Sequence, residues 1–228
     1  MQLISTKDIV DIVKYSDDSV IMVEKIPLSN PAQYKVQYSV VDFKTKSIDV
    51  STKSAYLLKK FGPNFKRISE IIPNFVQCEA AVLYDRRVLV IYPNGEAGIF
   101  DREGELDWNG TFDYHGSPVK CLSLEGKYFW NICPAENCVI RYSCQNMKVD
   151  LRIGGKESST FINPSYICYE NGDLYVCCDN NKVRKIDGSN YTVSDYLNFT
   201  NTIKRYYKFG DYAIAVMPQG TYVMENNE

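Results

Sequence analysis

A strand–turn–strand unit recurs five times along the chain. This repetition limits the possible folds more than any other feature. The copies are KYSDDSVIMV from Lys14, VLYDRRVLVI from Val82, LSLEGKYFWN from Leu122, CYENGDLYVC from Cys168 and YYKFGDYAIA from Tyr206. Their turns fall at Asp17-Asp18, Asp85-Arg86, Glu125-Gly126, Asn171-Gly172 and Phe209-Gly210. Three of these place glycine at the same position, where positive φ suits a two-residue hairpin. A second turn follows as PNGE, PAEN, DNNK or PQGT, and then a third strand. In four copies that strand runs into a further turn, in VVDFKT, IFDREG, RYSCQN and KIDGSN. Asp or Ser opens each of these turns, where its side chain bonds the backbone two residues on. Short fourth strands are predicted over Ser47–Val50, Glu105–Trp108, Met147–Leu151 and Tyr191–Val193.

Each copy therefore reads as four antiparallel strands. Taking Val20, Val88, Tyr128, Leu174 and Tyr212 as equivalent, the spacings are 68, 40, 46 and 38 residues. A propeller blade takes about 40–50 residues, so the long first interval carries an insertion. The last copy ends in GTYVMENNE after its third strand, and the chain opens with MQLIS, a strand that belongs to no copy. Pairing Gln2–Ile4 with the last copy supplies its fourth strand. It also closes the ring, removing two sheet edges.

With this pattern the sequence resembles the β-propeller superfamily in the broad sense that includes WD-repeat-like rings. No Trp-Asp dipeptide ends the strands and no Gly-His pair opens the blades, so the resemblance is architectural. The expected fold is all-β: a single five-bladed propeller over residues 1–228, closed by its N-terminal strand, with a short helical insertion at 51–73.

The 228 residues are 45% hydrophobic, which supplies a full-sized core without metal or disulfide support. A net charge of −2 gives no global attraction for nucleic acid or membrane. The start, MQLISTKDIVDIVKYSDD, lacks a basic segment followed by a long apolar run, and no stretch approaches the ~18 apolar residues of a membrane span. The eight cysteines sit mostly within apolar runs such as VKCL and YVCCD. They read as buried free thiols in a cytoplasmic, monomeric protein.

Catalytic signals are sparse. A single histidine, His115, excludes a histidine-rich metal site, and no metal or cofactor is expected. RIGGKESS lacks the phosphate-loop pattern. Cys133, Cys138, Cys177 and Cys178 do not have zinc-ribbon spacing. Asp11 and Glu79 occupy equivalent inner-strand positions of the first two copies, with Val119, Ser165 and Ile203 at the matching places in the others. Two carboxylates facing a central cavity are what glycoside hydrolysis needs, so Asp11 and Glu79 are the candidate catalytic pair of an alternative, carbohydrate-active reading. Strand-end charges balanced by Lys120, Lys204 and Arg205 are the plainer account of them.

The leading reading is a non-catalytic binding or scaffold module for a protein partner or a small anionic or carbohydrate ligand. Two places carry its candidate residues. The loop DWNGTFDYHG offers Tyr114 and His115 for exposure, while Trp108 is expected to pack between blades under Phe112. The insertion STKSAYLLKKFGPNFKRISEIIP has helical period, with Ser54, Leu57, Leu58 and Phe61 on one face and Pro73 ending a second helix. Its polar side collects Lys53, Lys59, Lys60, Lys66 and Arg67, expected as an exposed basic patch over one face of the ring.

Overall fold

The computed structural model describes residues 1–30, 33–72 and 74–225. Five four-stranded antiparallel sheets form the ring of a β-propeller. The chain enters on β1 (Gln2–Ser5) and builds blade one from β2 (Ile9–Ser16), β3 (Ser19–Pro27), β4 (Tyr34–Asp42) and β5 (Ile48–Val50). Helices α1 (Lys53–Phe61) and α2 (Phe65–Ile71) follow. Blade two is β6 (Glu79–Val82), β7 (Val88–Ile91), β8 (Glu96–Phe100) and β9 (Leu106–Thr111). A small hairpin of β10 (Asp113–Tyr114) and β11 (Ser117–Pro118) leads to blade three: β12 (Lys120–Glu125), β13 (Tyr128–Cys133), β14 (Cys138–Ser143) and β15 (Val149–Gly154). Blade four is β16 (Pro164–Glu170), β17 (Asp173–Cys178), β18 (Lys182–Ile186) and β19 (Val193–Asn198). Blade five takes β20 (Arg205–Phe209), β21 (Tyr212–Met217) and β22 (Gly220–Glu225) from the C-terminus, and β1 as its outermost strand.

The closure follows the sequence expectation: Gln2 pairs with Val223 and Leu3 with Tyr222. The turns Asp17-Asp18 and Asn171-Gly172 do as well, whereas in blades three and five the two-residue loop falls one position later, at Gly126-Lys127 and Gly210-Asp211, and in blade two it is longer. Asn171 and Gly172 both have positive φ, 50° and 93°, the backbone a two-residue hairpin requires.

The second strand of each blade is apolar on both faces because both faces are covered. Val20 and Met22 of β3 enter the core shared with blades four and five, while Ile21 and Val23 point the other way. Leu89 and Ile91 of β7 face blade three, while Val88 and Val90 turn back toward blade one. Between blades one and two lie the helices. Tyr56, Leu57, Phe61, Ile68 and Ile72 form one buried cluster with Ile21, Val23, Val88, Val90 and Phe100. The insertion is thus a wedge between two sheets, and α1 packs against both inner strands, β2 and β6. This corrects the expectation of an insertion lying over one face of the ring: a helix with apolar residues at Tyr56, Leu57 and Phe61 fills a sector between two blades.

Thr52 caps α1, its side chain accepting from the Ala55 N–H at 3.1 Å. The buried face is Tyr56, Leu57, Lys60 and Phe61, whereas Leu58, expected inside, is exposed. Pro73 lies outside the described residues.

Candidate functional site

The inner strands surround a cavity of about 270 Å³ along the ring axis. Apolar side chains, among them Ile12, Ala80, Leu122, Ile167 and Phe209, supply about half of its wall, with Lys14, Glu79, Ser123, Tyr166 and Tyr207 as polar lining. Asp11, Lys59 and Lys60 also reach it.

Strand register explains which residues meet there. Asp11 pairs with Val23 and Glu79 with Ile91, each three residues into its second strand from Val20 and Val88, so the two carboxylates are equivalent, as the sequence indicated. The matching residue of blade four is Tyr166, opposite Cys177, and that of blade five is Tyr206, opposite Ala215. In blade three, Asn131 faces an irregularity between Lys120 and Ser123, and its side-chain amide donates to the Cys121 carbonyl. The sequence alignment at Val119, Ser165 and Ile203 therefore runs early. Hairpin length accounts for the slip: Val20 and Val88 pair with residues six positions earlier, Lys14 and Val82, whereas Tyr128, Leu174 and Tyr212 pair with Glu125, Tyr169 and Phe209, only three to five positions earlier.

Asp11 and Glu79 have different surroundings. Asp11 is buried and accepts three hydrogen bonds: from the Ile12 N–H at 2.8 Å, the Tyr56 hydroxyl at 2.6 Å and the Lys60 ammonium at 2.5 Å. Lys60 donates again to the Cys78 carbonyl at 2.5 Å and lies 3.0 Å from the Tyr56 hydroxyl. Its side chain is only 2% exposed. Burial is the largest single influence on Lys60 and lowers its pKa, but attraction to Asp11, Cys78 and Glu79 together with the hydrogen bond to Asp11 outweighs it, and the pKa stays above the ordinary lysine value. The expectation of Lys60 in a solvated basic patch is therefore corrected. Spaced i, i+4, Tyr56 and Lys60 share the inward face of α1 and lock the wedge to β2.

Glu79, by contrast, receives no hydrogen bond and no ion pair among the described residues. Burial, and secondarily repulsion from Asp11, push its pKa up against the pull of Arg205 and Lys60. Arg205 is itself engaged, donating to the Val10 carbonyl at 3.1 Å and the Tyr207 hydroxyl at 3.3 Å, with its guanidinium 5.7 Å from the Tyr166 ring centre. Lys120 and Lys204, offered as balancing charges, are exposed.

The remaining insertion cations do not form one patch. Lys53 lies 4.7 Å over the Phe75 ring and Lys59 5.0 Å over Tyr15. Arg67 pairs with Glu105, and Lys66 is exposed. Tyr114 and His115 sit at the β10–β11 turn, their rings stacked 4.1 Å apart with His115 exposed. Trp108, on outer strand β9, is 38% exposed rather than buried between blades; its ring lies over Gly110 and 5.5 Å from that of Phe112, which is the residue buried against blade three.

All eight cysteines are free, and six of them are buried. Among the described residues no cluster of three or more His, Cys, Asp or Glu is placed to hold a metal ion. No helix among the described residues is long and apolar enough to cross a membrane.

The chain matches no family model and no curated protein. Among solved structures, the computationally designed Ika4 protein aligns with a TM-score of 0.49 at 12% identity, covering 64% of this chain and 88% of that one. The β-propeller domain of Cps50 (Swd1) from Myceliophteria thermophila aligns at 0.48 and 12% identity, covering 64% of this chain and 51% of that one. Glutaminyl cyclase from Myxococcus xanthus aligns at 0.47 and 11% identity, covering 64% of this chain and 63% of that one. At these values the assignment of the fold rests on the chain's own strand order.

Proposed function

We propose that the chain is a non-catalytic binding module whose recognition site is the axial cavity. The observation that carries this reading is the unequal state of the two carboxylates. Glycoside hydrolysis asks one carboxyl group to act as acid and a second to act as base or nucleophile. Both carboxylates line the cavity, but Asp11 has both oxygens engaged in a buried network that anchors α1, whereas Glu79 has no hydrogen-bond partner among the described residues. A small pocket with apolar walls, a few converging polar groups and a perturbed carboxylate suits a ligand site.

A sugar-binding reading without catalysis has one observation in its favour, the stacked pair of exposed His115 and half-buried Tyr114 at a hairpin tip. The test is a calorimetric screen of small polar compounds with mass-spectrometric recovery of every binder. Saturable binding with the compound recovered unchanged is expected. A binder recovered cleaved or modified, with turnover lost in Glu79→Gln, would make the protein an enzyme.

A further inference from the structure

Resting on the binding-module reading, we propose that the axial cavity binds a primary ammonium group carried on a short apolar stem, with the ammonium seated on Glu79. A neighbouring arrangement in the same protein shows the chemistry. At Asp11 a carboxylate, the Tyr56 hydroxyl and the Cys78 carbonyl surround the Lys60 ammonium at 2.5–3.0 Å. One inner strand further round, Glu79 lines the cavity together with Tyr166 and Tyr207. This second wall has a carboxylate and two tyrosines, with no ammonium bonded to the carboxylate among the described residues.

The cations nearest Glu79 are already engaged. Lys60 is held by Asp11 and the Cys78 carbonyl, and Arg205 by the Val10 carbonyl and Tyr207. A half-buried carboxylate without a donor is costly, and a cation brought to it recovers part of that cost. Much of the remaining wall, including Ile12, Ala80, Leu122 and Ile167, is apolar, with Ser123 its one hydroxyl besides the tyrosines, so the ligand's stem is apolar. A volume of about 270 Å³ limits the ligand to a small molecule or a single side chain.

Orientation follows from Lys59. Its ammonium lies over Tyr15, four residues along β2 from Asp11, which places it roughly 13 Å toward the other end of the strand. A cationic head is therefore repelled at that end and drawn to Glu79.

The experiment is isothermal titration of the full chain with three probes of one length: n-pentylamine, n-pentanol and pentanoate. Pentylamine is expected to bind saturably, at least tenfold more tightly than either of the others. Glu79→Gln should weaken pentylamine at least tenfold and leave pentanol unchanged. The wild-type comparison decides the matter even if that variant fails to fold. No saturable binding of pentylamine, equal binding of pentanol, or preference for pentanoate would each overturn the proposal. If other compounds bind and are recovered unchanged while pentylamine does not bind, the ammonium site fails and the binding module stands. If pentylamine binds at Glu79 and is recovered altered, the site stands and the non-catalytic reading fails.

Discussion

At the scale of single residues, Lys60 shows how position on a helix outweighs residue type. A lysine in the stretch KKFGPNFKR reads as surface charge, because charged helix faces are usually solvated. Nothing in the local pattern announces that Lys60 has a carboxylate partner 49 residues earlier, in Asp11. Only its i, i+4 spacing from Tyr56, which is itself buried, marks the face it shares. Removing one partner of such a pair leaves the other charge uncompensated in a low-dielectric site, which costs about 3–5 kcal/mol. Lys60→Met should lose stability of that order in urea unfolding at neutral pH. Adding Asp11→Asn to it should recover part of the loss, because the stranded charge is removed. A loss below about 1 kcal/mol would mean that the pair does not anchor the wedge.

At the scale of elements, the hairpins were legible because their turn chemistry is local. Asn171-Gly172 states its backbone conformation in two residues. The unequal hairpin lengths were not legible: the paired strands are six residues apart at Val20 and Val88 but three at Tyr128 and Tyr212 and five at Leu174. The residues facing the channel in blades three, four and five were misplaced by that difference, and Tyr166 was passed over for Ser165. The role of β1 was legible as a count: the last copy lacked a strand and the chain began with one to spare. Its contribution extends beyond pairing, because the Ser5 hydroxyl donates to Glu24 of blade one at 2.5 Å and ties the closing strand to the next sheet. Deleting residues 1–5 should therefore expose the edge of β22 and lower Tm by roughly 5 °C or more, with concentration-dependent association. Calorimetry and light scattering read both effects. A truncated protein that melts like its parent and stays monodisperse would contradict the closure.

At the scale of the whole molecule, the ring is five sheets and one helical sector. The helical period of the insertion was visible in the sequence. Its placement was not, because an apolar helix face is equally compatible with lying on a surface or filling a gap. What decides is that both neighbouring sheets need cover: Ile21 and Val23 on one side, Val88 and Val90 on the other. The wedge sets the shape of the cavity, since α1 contributes Lys59 and Lys60 to its wall beside β2 and β6. The proposed site at Glu79 therefore depends on the wedge being part of the core. Native-state amide hydrogen exchange resolved along residues 53–72 tests this most directly, because cooperative core units exchange only by large openings while peripheral elements open locally at little cost. The amides of α1 from Leu57 to Phe61 are predicted to exchange as slowly as those of β3 and β7, and to respond together with them as denaturant is added. Exchange of α1 within minutes, while β3 and β7 stay protected, would show a detachable lid and contradict the account.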